Sequence, residues 1–117
     1  MANIIVDKTF RFAQEIITVY LDLREKGHYK IADQLVKSGT SIGANVEEAQ
    51  AAHSKLDFIA KLTISDKEAR ETRYWLRLLD KKELLSEHPS FPYLKSEIQE
   101  IILLLNSIIK KFRENLK

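Results

Sequence analysis

Residues 93–116, YLKSEIQEIILLLNSIIKKFRENL, carry the clearest fold signal in the chain. Large apolar side chains recur there at alternating spacings of four and three, at Leu94, Ile98, Ile101, Leu105, Ile108 and Phe112. This spacing is typical of a helix that buries one stripe in a helical bundle. A flanking apolar row of Ile102, Ile109 and Leu116 widens the buried arc that we expect for this helix.

Three further helices are predicted upstream, at about residues 7–26, 29–52 and 54–82. Asp7 is a suitable N-cap for the first helix, and Gly27 stands where a left-handed C-cap would end it. Ser54 and Asp57 form a capping-box pattern at the start of the third helix. Both prolines fall within residues 86–92, which we expect to be the loop before the last helix.

The second predicted helix contains a run of small residues, Ser38-Gly39-Thr40-Ser41-Ile42-Gly43. Each glycine costs about 1 kcal/mol relative to alanine inside a helix. The helix therefore either breaks in this run or keeps small side chains so that a neighbouring backbone can approach closely. The apolar seam continues unbroken through Ile42 and Val46, which favours the close approach.

These helices and their short connections predict an all-α fold, an antiparallel up-and-down four-helix bundle in a single domain over residues 1–117. The chain has no cysteine, which excludes disulfide frameworks, thiolate zinc sites and cysteine nucleophiles. Its first residues lack a signal-peptide pattern. The longest apolar block, Ile101 to Leu105, is far shorter than the roughly 20 residues of a membrane span. We therefore expect a cytoplasmic protein without membrane contact.

Histidine and acidic side chains show no pattern typical of a catalytic or metal site. The one Glu-x-x-His spacing, Glu25 to His28, contains the glycine that is predicted to end the first helix. Di-iron bundles need two such pairs and two further carboxylates. Glu-x-x-Glu pairs occur at 68/71 and 97/100, but neither has the aspartate found in helical nucleotide pyrophosphatases. We therefore expect no enzymatic activity, no cofactor and no bound metal.

The third predicted helix carries two apolar faces, although a helix in a monomeric bundle buries only one. The second face contains Ile64, Tyr74 and Leu78, with Trp75 beside them. A monomer would leave this face in contact with water. We predict that these four residues form the interface of a homo-oligomer.

Four cations of the third helix, Arg70, Arg73, Arg77 and Lys81, recur at spacings of three and four and are predicted to form one stripe. Such a stripe on a rigid helix could follow the phosphates of RNA or DNA. Alternatively, it is a solvated edge paired with acids such as Asp66, an interpretation that suits the net charge of only +2. A second basic cluster near the end of the chain consists of Lys110, Lys111, Arg113 and Lys117. Cations at a helix C-terminus also offset the helix dipole.

Asn45 lies at the edge of the buried arc predicted for the second helix, three residues before Glu48. A buried amide without hydrogen bonds would cost about 1–3 kcal/mol, so Asn45 needs a partner. A pair with Glu48 or with an arginine of the third helix would fix helix register and partner choice. We predict that Asn45 and Glu48 form a structural polar motif rather than a catalytic one.

Three segments, residues 37–49 (KSGTSIGANVEEA), Asp57-Phe58 and residues 67–76 (KEARETRYWL), form a recognisable combination. It resembles the 23S rRNA-intervening sequence protein family, and the match runs from the first helix into the last. Many members carry glycine after the glutamate of this motif, where this chain has Glu48-Ala49. The resemblance implies an up-and-down bundle. Through accessory proteins of diversity-generating retroelements that share the fold, it also implies a barrel-like homopentamer similar to nucleic-acid-binding partners of a reverse transcriptase.

The residues and the resemblance together predict a non-enzymatic homo-oligomer, a pentamer by the resemblance, which binds RNA or DNA through basic stripes repeated by symmetry. Repetition matters because several weak sites on one assembly can bind a long polyanion tightly. The alternative is a protein-interaction scaffold or accessory subunit with no direct role in nucleic-acid binding. A protein partner would then dock on the exposed apolar arc, and the basic stripe would be paired surface.

Overall fold

The computed structural model describes residues 3–116, which form four α-helices and no β-strand. The helices are α1 (Ile4–Glu25), α2 (Tyr29–Ala49), α3 (Lys55–Leu78) and α4 (Phe91–Glu114). The predicted all-α class is therefore confirmed. No helix of the described range is long and apolar enough to cross a membrane.

Two of the predicted helix boundaries are confirmed by their hydrogen bonds. Gly27 has φ +89°, and the amides of Gly27 and His28 donate to the carbonyls of Arg24 and Leu23 at 2.9 Å. This pair of bonds is a Schellman motif, which needs a left-handed residue after the helix. At the start of α3, Ser54 Oγ accepts a hydrogen bond of 3.0 Å from the Asp57 amide.

The predicted start of α1 at Asp7 is wrong. The helix begins at Ile4, with Asn3 as N-cap, and Asp7 lies in the first turn. Ile5 is buried, so its packing in the core extends the helix upstream of the local capping signal. A carboxylate in the first turn is still favourable, because it faces the positive end of the helix dipole.

The run of small residues in α2 is continuous helix, and it allows α1 to approach closely. A Cβ atom on Gly39 would lie 2.8 Å from Cγ2 of Ile16, which is fully buried in α1. A Cβ atom on Gly43 would lie 3.2 Å from the carbonyl oxygen of Thr9. The interpretation that the helix breaks in this run is therefore wrong, and the close approach is confirmed.

The predicted end of α3 at about residue 82 is also wrong. The helix ends at Leu78, and residues 79–90 form consecutive turns before α4. The Leu85 amide donates to the Leu79 carbonyl at 3.0 Å, and both leucine side chains are fully buried. The chain therefore turns so that two leucines of this segment enter the core. Pro92 lies in the first turn of α4, where a missing amide hydrogen costs nothing.

Each helix packs against two others: α1 and α3 both contact α2 and α4. Buried leucine and isoleucine side chains dominate the core, together with Phe12 and Phe91. Small polar residues lie in the seam between α2 and α3, where Thr72 Oγ1 is 2.9 Å from Ser38 Oγ. Ser65 Oγ donates to the Ile42 carbonyl at 2.8 Å. These contacts bring α2 and α3 close together without leaving their buried hydroxyl groups unsatisfied.

Candidate nucleic-acid interface

The four cations predicted as one stripe have different surroundings. Arg70 Nε donates to Asp66 Oδ2 at 3.1 Å, so Arg70 is paired within its own helix. Asp66 also accepts from Asn106 of α4, at 2.9 Å. Lys81 lies in the turns beyond the end of α3, because the helix stops at Leu78. The predicted stripe is therefore continuous only from Arg70 to Arg77.

Arg73 and Arg77 lie on the side of α3 that faces α4. Arg73 is half-buried, and its Nη1 donates to Gln99 Oε1 of α4 at 3.2 Å. Arg77 is exposed and forms no ion pair with any residue in the range 3–116. The guanidinium groups of both arginines thus lack an acidic partner in the described part of the chain.

A small notch lies between the end of α3 and the start of α4, with a volume of about 70 Å³. Its lining consists of Arg73, Leu76, Arg77, Asp80, Lys95, Ile98 and Gln99. Lys95 Nζ donates to Asp80 Oδ2 at 2.9 Å. Sequence reasoning missed Lys95, because only the turn between α3 and α4 brings it beside the arginines of α3.

The second basic cluster is exposed at the end of α4. Lys110 and Arg113 line a shallow depression with Asn106, Ile109 and Glu114. Lys111 is exposed beside them, and Lys117 lies outside the described residues. These cations stand in the last turns of the helix, where they favour the negative end of its dipole.

Asn45 and Glu48 do not bond to each other. Asn45 is half-buried, and its Nδ2 donates to the Ser41 carbonyl one turn earlier at 2.8 Å. Glu48 is exposed and accepts from Lys61 Nζ of α3 at 3.1 Å. The amide thus has the hydrogen bond that its burial requires, from its own helix, and Glu48 links α2 to α3.

The face of α3 predicted to be an oligomer interface is open to solvent. Ile64, Tyr74 and Leu78 expose 43%, 50% and 42% of their surface. Trp75 is half-buried, and its Nε1 donates to Glu71 Oε2 at 3.0 Å. Tyr74 and Trp75 pack edge to face, with their ring centroids 5.1 Å apart. Three large apolar side chains therefore face water on one side of one helix.

A second apolar surface lies between α1 and α2, beside the contact of Gly43 with Thr9. It is a groove of about 230 Å³, lined by Thr9, Phe10, Ala13, Thr40, Gly43, Ala44 and Glu47. Phe10 and Ile17 are exposed along α1 on this side. Phe10, Ala13 and Ile17 recur at helical spacing in the sequence, but nothing local showed that they border an open groove.

The two Glu-x-x-Glu pairs, at 97/100 and 68/71, have different surroundings. Lys8 Nζ of α1 donates to Glu97 at 3.0 Å and to Glu100 at 3.2 Å. The hydrogen bond to Glu97 is the main cause that raises the pKa of Lys8 above its ordinary value of 10.5. The pKa of Glu68 is raised by burial and then by the charge of Glu71. Within residues 3–116, no three histidine or acidic side chains gather in a way that could hold a metal ion.

Comparison with known proteins places the chain among relatives of the same fold. Residues 1–107 match the model of the family described as 23S rRNA-intervening sequence protein. A crystal structure of a protein of unknown function from the S23 ribosomal protein family of Bacteroides thetaiotaomicron is 42% identical, with a TM-score of 0.81. That match covers 91% of this chain and 98% of the other. None of the curated proteins that were compared matches the chain. The chain belongs to the 23S rRNA-intervening sequence protein family.

Proposed function

We propose that this protein is a non-enzymatic homo-oligomer, a pentamer, that binds RNA or DNA in the cytoplasm without a cofactor. The observation that carries the proposal is the side of α3 that faces α4, where Arg73 and Arg77 have no acidic partner in the range 3–116. Cations with unused hydrogen-bond donors can neutralise phosphates, and the counterions condensed on the nucleic acid are then released. The family description, with its reference to 23S rRNA, agrees with a nucleic-acid role.

The proposed protomer is an antiparallel up-and-down bundle. The order of contacts supports this arrangement, because residue numbers fall along one helix as they rise along its neighbour. Between α1 and α2, Thr9 lies against Gly43, and Ile16 lies against Gly39. Between α3 with its following turn and α4, the same reversal is seen in three hydrogen bonds: Asn106 donates to Asp66, Arg73 donates to Gln99, and Lys95 donates to Asp80.

Oligomer formation is supported by the apolar face of α3. Burial of an apolar surface contributes about 25 cal/mol per Å², so three half-exposed large side chains favour association. The groove between α1 and α2 gives the protomer a second apolar surface on a different side. Two unlike surfaces are what a head-to-tail ring needs, whereas a two-fold dimer pairs one surface with itself.

Symmetric assembly allows a protomer of modest charge to contribute to tight binding of a long RNA or DNA. A protomer with a net charge of +2 is a weak ligand for a polyanion. Linked copies convert later binding events into intramolecular ones, and avidity can exceed the single-site affinity by about 10²–10⁴. A ring of identical basic edges would therefore bind a long RNA or DNA much more tightly than a short one.

The test combines mass and binding on one sample. Light scattering gives the oligomer mass, and fluorescence anisotropy with labelled RNA and DNA gives affinity at low and high salt. We expect a mass of five protomers and binding that weakens as salt rises. The double variant R73E/R77E should lose binding, and K55E, at the other end of α3, should retain it. Binding that is undetectable at low salt in the wild type would refute the nucleic-acid role.

A second function, that of a protein-interaction scaffold or accessory subunit, is favoured by the groove between α1 and α2. The groove is apolar and bordered by the exposed Phe10, as expected of a surface that receives a partner's side chain. Under this alternative, the purified protein would ignore nucleic acid. A cellular partner would be captured equally well before and after nuclease treatment, and F10D would abolish the capture.

A further inference from the structure

The notch between α3 and α4 concentrates positive charge in a small volume. Arg73, Arg77 and Lys95 supply three positive charges and Asp80 one negative charge, which leaves a local net charge of +2. That equals the formal net charge of the entire chain. Local excess of this size at one point of the surface attracts an anion even though the whole protein is only mildly basic.

The hydrogen-bonding capacity of the notch is only partly used. Asp80 is held by Lys95 at 2.9 Å, and Arg73 donates to the neutral Gln99 oxygen at 3.2 Å. Arg77 makes no ion pair within the described range. Each guanidinium carries five N–H donors in a planar fork. Most of these donors are therefore available to an incoming ligand.

Helix dipoles do not account for this arrangement. Arg77 lies in the last turn of α3, where the helix dipole favours a cation. Lys95 lies near the start of α4, where the dipole disfavours one. The negative end of α3 lies beside the notch, whereas α4 lines it with Lys95, Ile98 and Gln99, beyond its first turn. The surplus therefore comes from the three side chains.

The size and floor of the notch suit a phosphate group. At about 70 Å³, it has room for about two water molecules of roughly 30 Å³ each. The two non-bridging oxygens of a phosphodiester group could take their place. Leu76 and Ile98 of the lining are buried, so one side of the space is apolar. An apolar wall lowers the local dielectric constant and strengthens the attraction between cation and anion.

We propose that this notch is a phosphate-binding site, in which Arg73, Arg77 and Lys95 contact one phosphodiester group of the bound RNA or DNA. This inference rests on the proposed function and adds Lys95, which lies outside the stripe on α3. Asp80 holds Lys95 in place when the site is empty. It also opposes the anion, so it sets an upper limit on affinity.

The test uses three single variants and a matched control. R77Q and K95Q each remove one cation, whereas D80N removes the opposing charge. K55Q removes one exposed lysine at the start of α3, about 33 Å along the helix from Arg77 at 1.5 Å per residue. All four variants change the net charge by one, so a non-specific charge effect is the same in size for each; it weakens RNA binding in R77Q, K95Q and K55Q and tightens it in D80N.

Two probes are measured on the intact oligomer. Anisotropy with a labelled single-stranded RNA gives the affinity and its salt dependence. Thermal denaturation with inorganic pyrophosphate, against sodium chloride of equal ionic strength, tests the notch without nucleic acid. A ligand that binds only the folded state raises the midpoint of unfolding.

We expect R77Q and K95Q to weaken RNA binding at least about threefold more than K55Q and to reduce the salt slope by about 0.7 for each phosphate that is no longer neutralised. D80N should bind more tightly than the wild type, because Asp80 opposes the phosphate. One added positive charge tightens binding anywhere on the surface, so D80N must tighten it by more than K55Q weakens it; an equal change would mean that Asp80 does not face the phosphate. Pyrophosphate should stabilise the wild type and K55Q but not R77Q or K95Q.

The outcomes separate this site from the proposed function. If RNA binds and R77Q and K95Q weaken that binding no more than K55Q does, the notch is refuted and nucleic-acid binding stands. If neither RNA nor DNA binds but pyrophosphate stabilises the wild type and not R77Q, the proposed function fails and the phosphate site stands. If neither probe acts on the wild type, both ideas fail.

Discussion

Substitution of Gly39 by alanine tests the close approach of α1 and α2. At an open position inside a helix, glycine to alanine stabilises by about 1 kcal/mol. Here the new methyl group would lie 2.8 Å from Cγ2 and 2.9 Å from Cγ1 of Ile16, which is fully buried. Overpacking of this kind costs about 1–3 kcal/mol. We expect the clash to exceed the propensity gain, with a net loss of up to about 2 kcal/mol in the free energy of unfolding.

The partner substitution shows whether Ile16 is the cause. I16A alone should cost about 2–5 kcal/mol, as other large-to-small changes in cores do. In the double variant G39A/I16A, the atoms that clash are gone and the new methyl group occupies part of the cavity. The double variant should therefore be more stable than the sum of the two single effects predicts, by about 1–3 kcal/mol.

The assay is urea unfolding followed by circular dichroism at one fixed protomer concentration, because the stability of an oligomer depends on concentration. The same samples are checked by light scattering, so that a change of assembly is not mistaken for a change of packing. If G39A were stabilised by about 1 kcal/mol, the position would behave as open helix and the close approach would be refuted. Strict additivity of G39A and I16A would show that the two residues do not touch.

Three further predictions follow from other parts of the structure. The variant I64D, 13 residues before Arg77, should convert the proposed oligomer to monomers of unchanged helix content, seen by light scattering and circular dichroism; an unchanged mass would exclude this face as the interface. S54A should lose about 1 kcal/mol of stability because its N-cap hydrogen bond is absent, and S54D should retain most of it in the same unfolding assay. Because the pKa of Lys8 is raised by Glu97, its stabilisation is fully present below pH 10.5 and is lost as pH rises further. The stability difference between wild type and K8Q should therefore shrink as the pH rises above 10.5, and a constant difference would contradict the ion pair.

The helices could be predicted from sequence wherever a local rule agrees with burial. Gly27 ends α1 because only a left-handed residue completes the cap, and that rule involves neighbouring residues alone. The start of α1 followed tertiary packing instead, because burial of Ile5 outweighs the capping preference of Asp7. The end of α3 was missed because Leu79 continues its apolar seam, although it is buried from a turn.

Only the part of the candidate site that lies on α3 could be predicted from the sequence. Spacing placed Arg73 and Arg77 on the same side of α3, since that relation is fixed by 3.6 residues per turn. It could not show that Arg70 is paired with Asp66 whereas Arg77 forms no ion pair within residues 3–116, because the spacing does not fix the side-chain rotamers. Lys95 is 15 residues from its partner Asp80, across turns whose path no local pattern specifies.

The proposed assembly and the proposed nucleic-acid binding use different sides of α3. Arg73 donates to Gln99 of α4, whereas Lys61 donates to Glu48 of α2. The cations therefore face α4, and Ile64 lies three residues after Lys61, toward α2. An interface formed on the apolar face would leave the notch open, and each added copy would bring one more notch to the same surface. For this reason the monomeric variant should keep the affinity of one notch for pyrophosphate while it loses the avidity for long RNA.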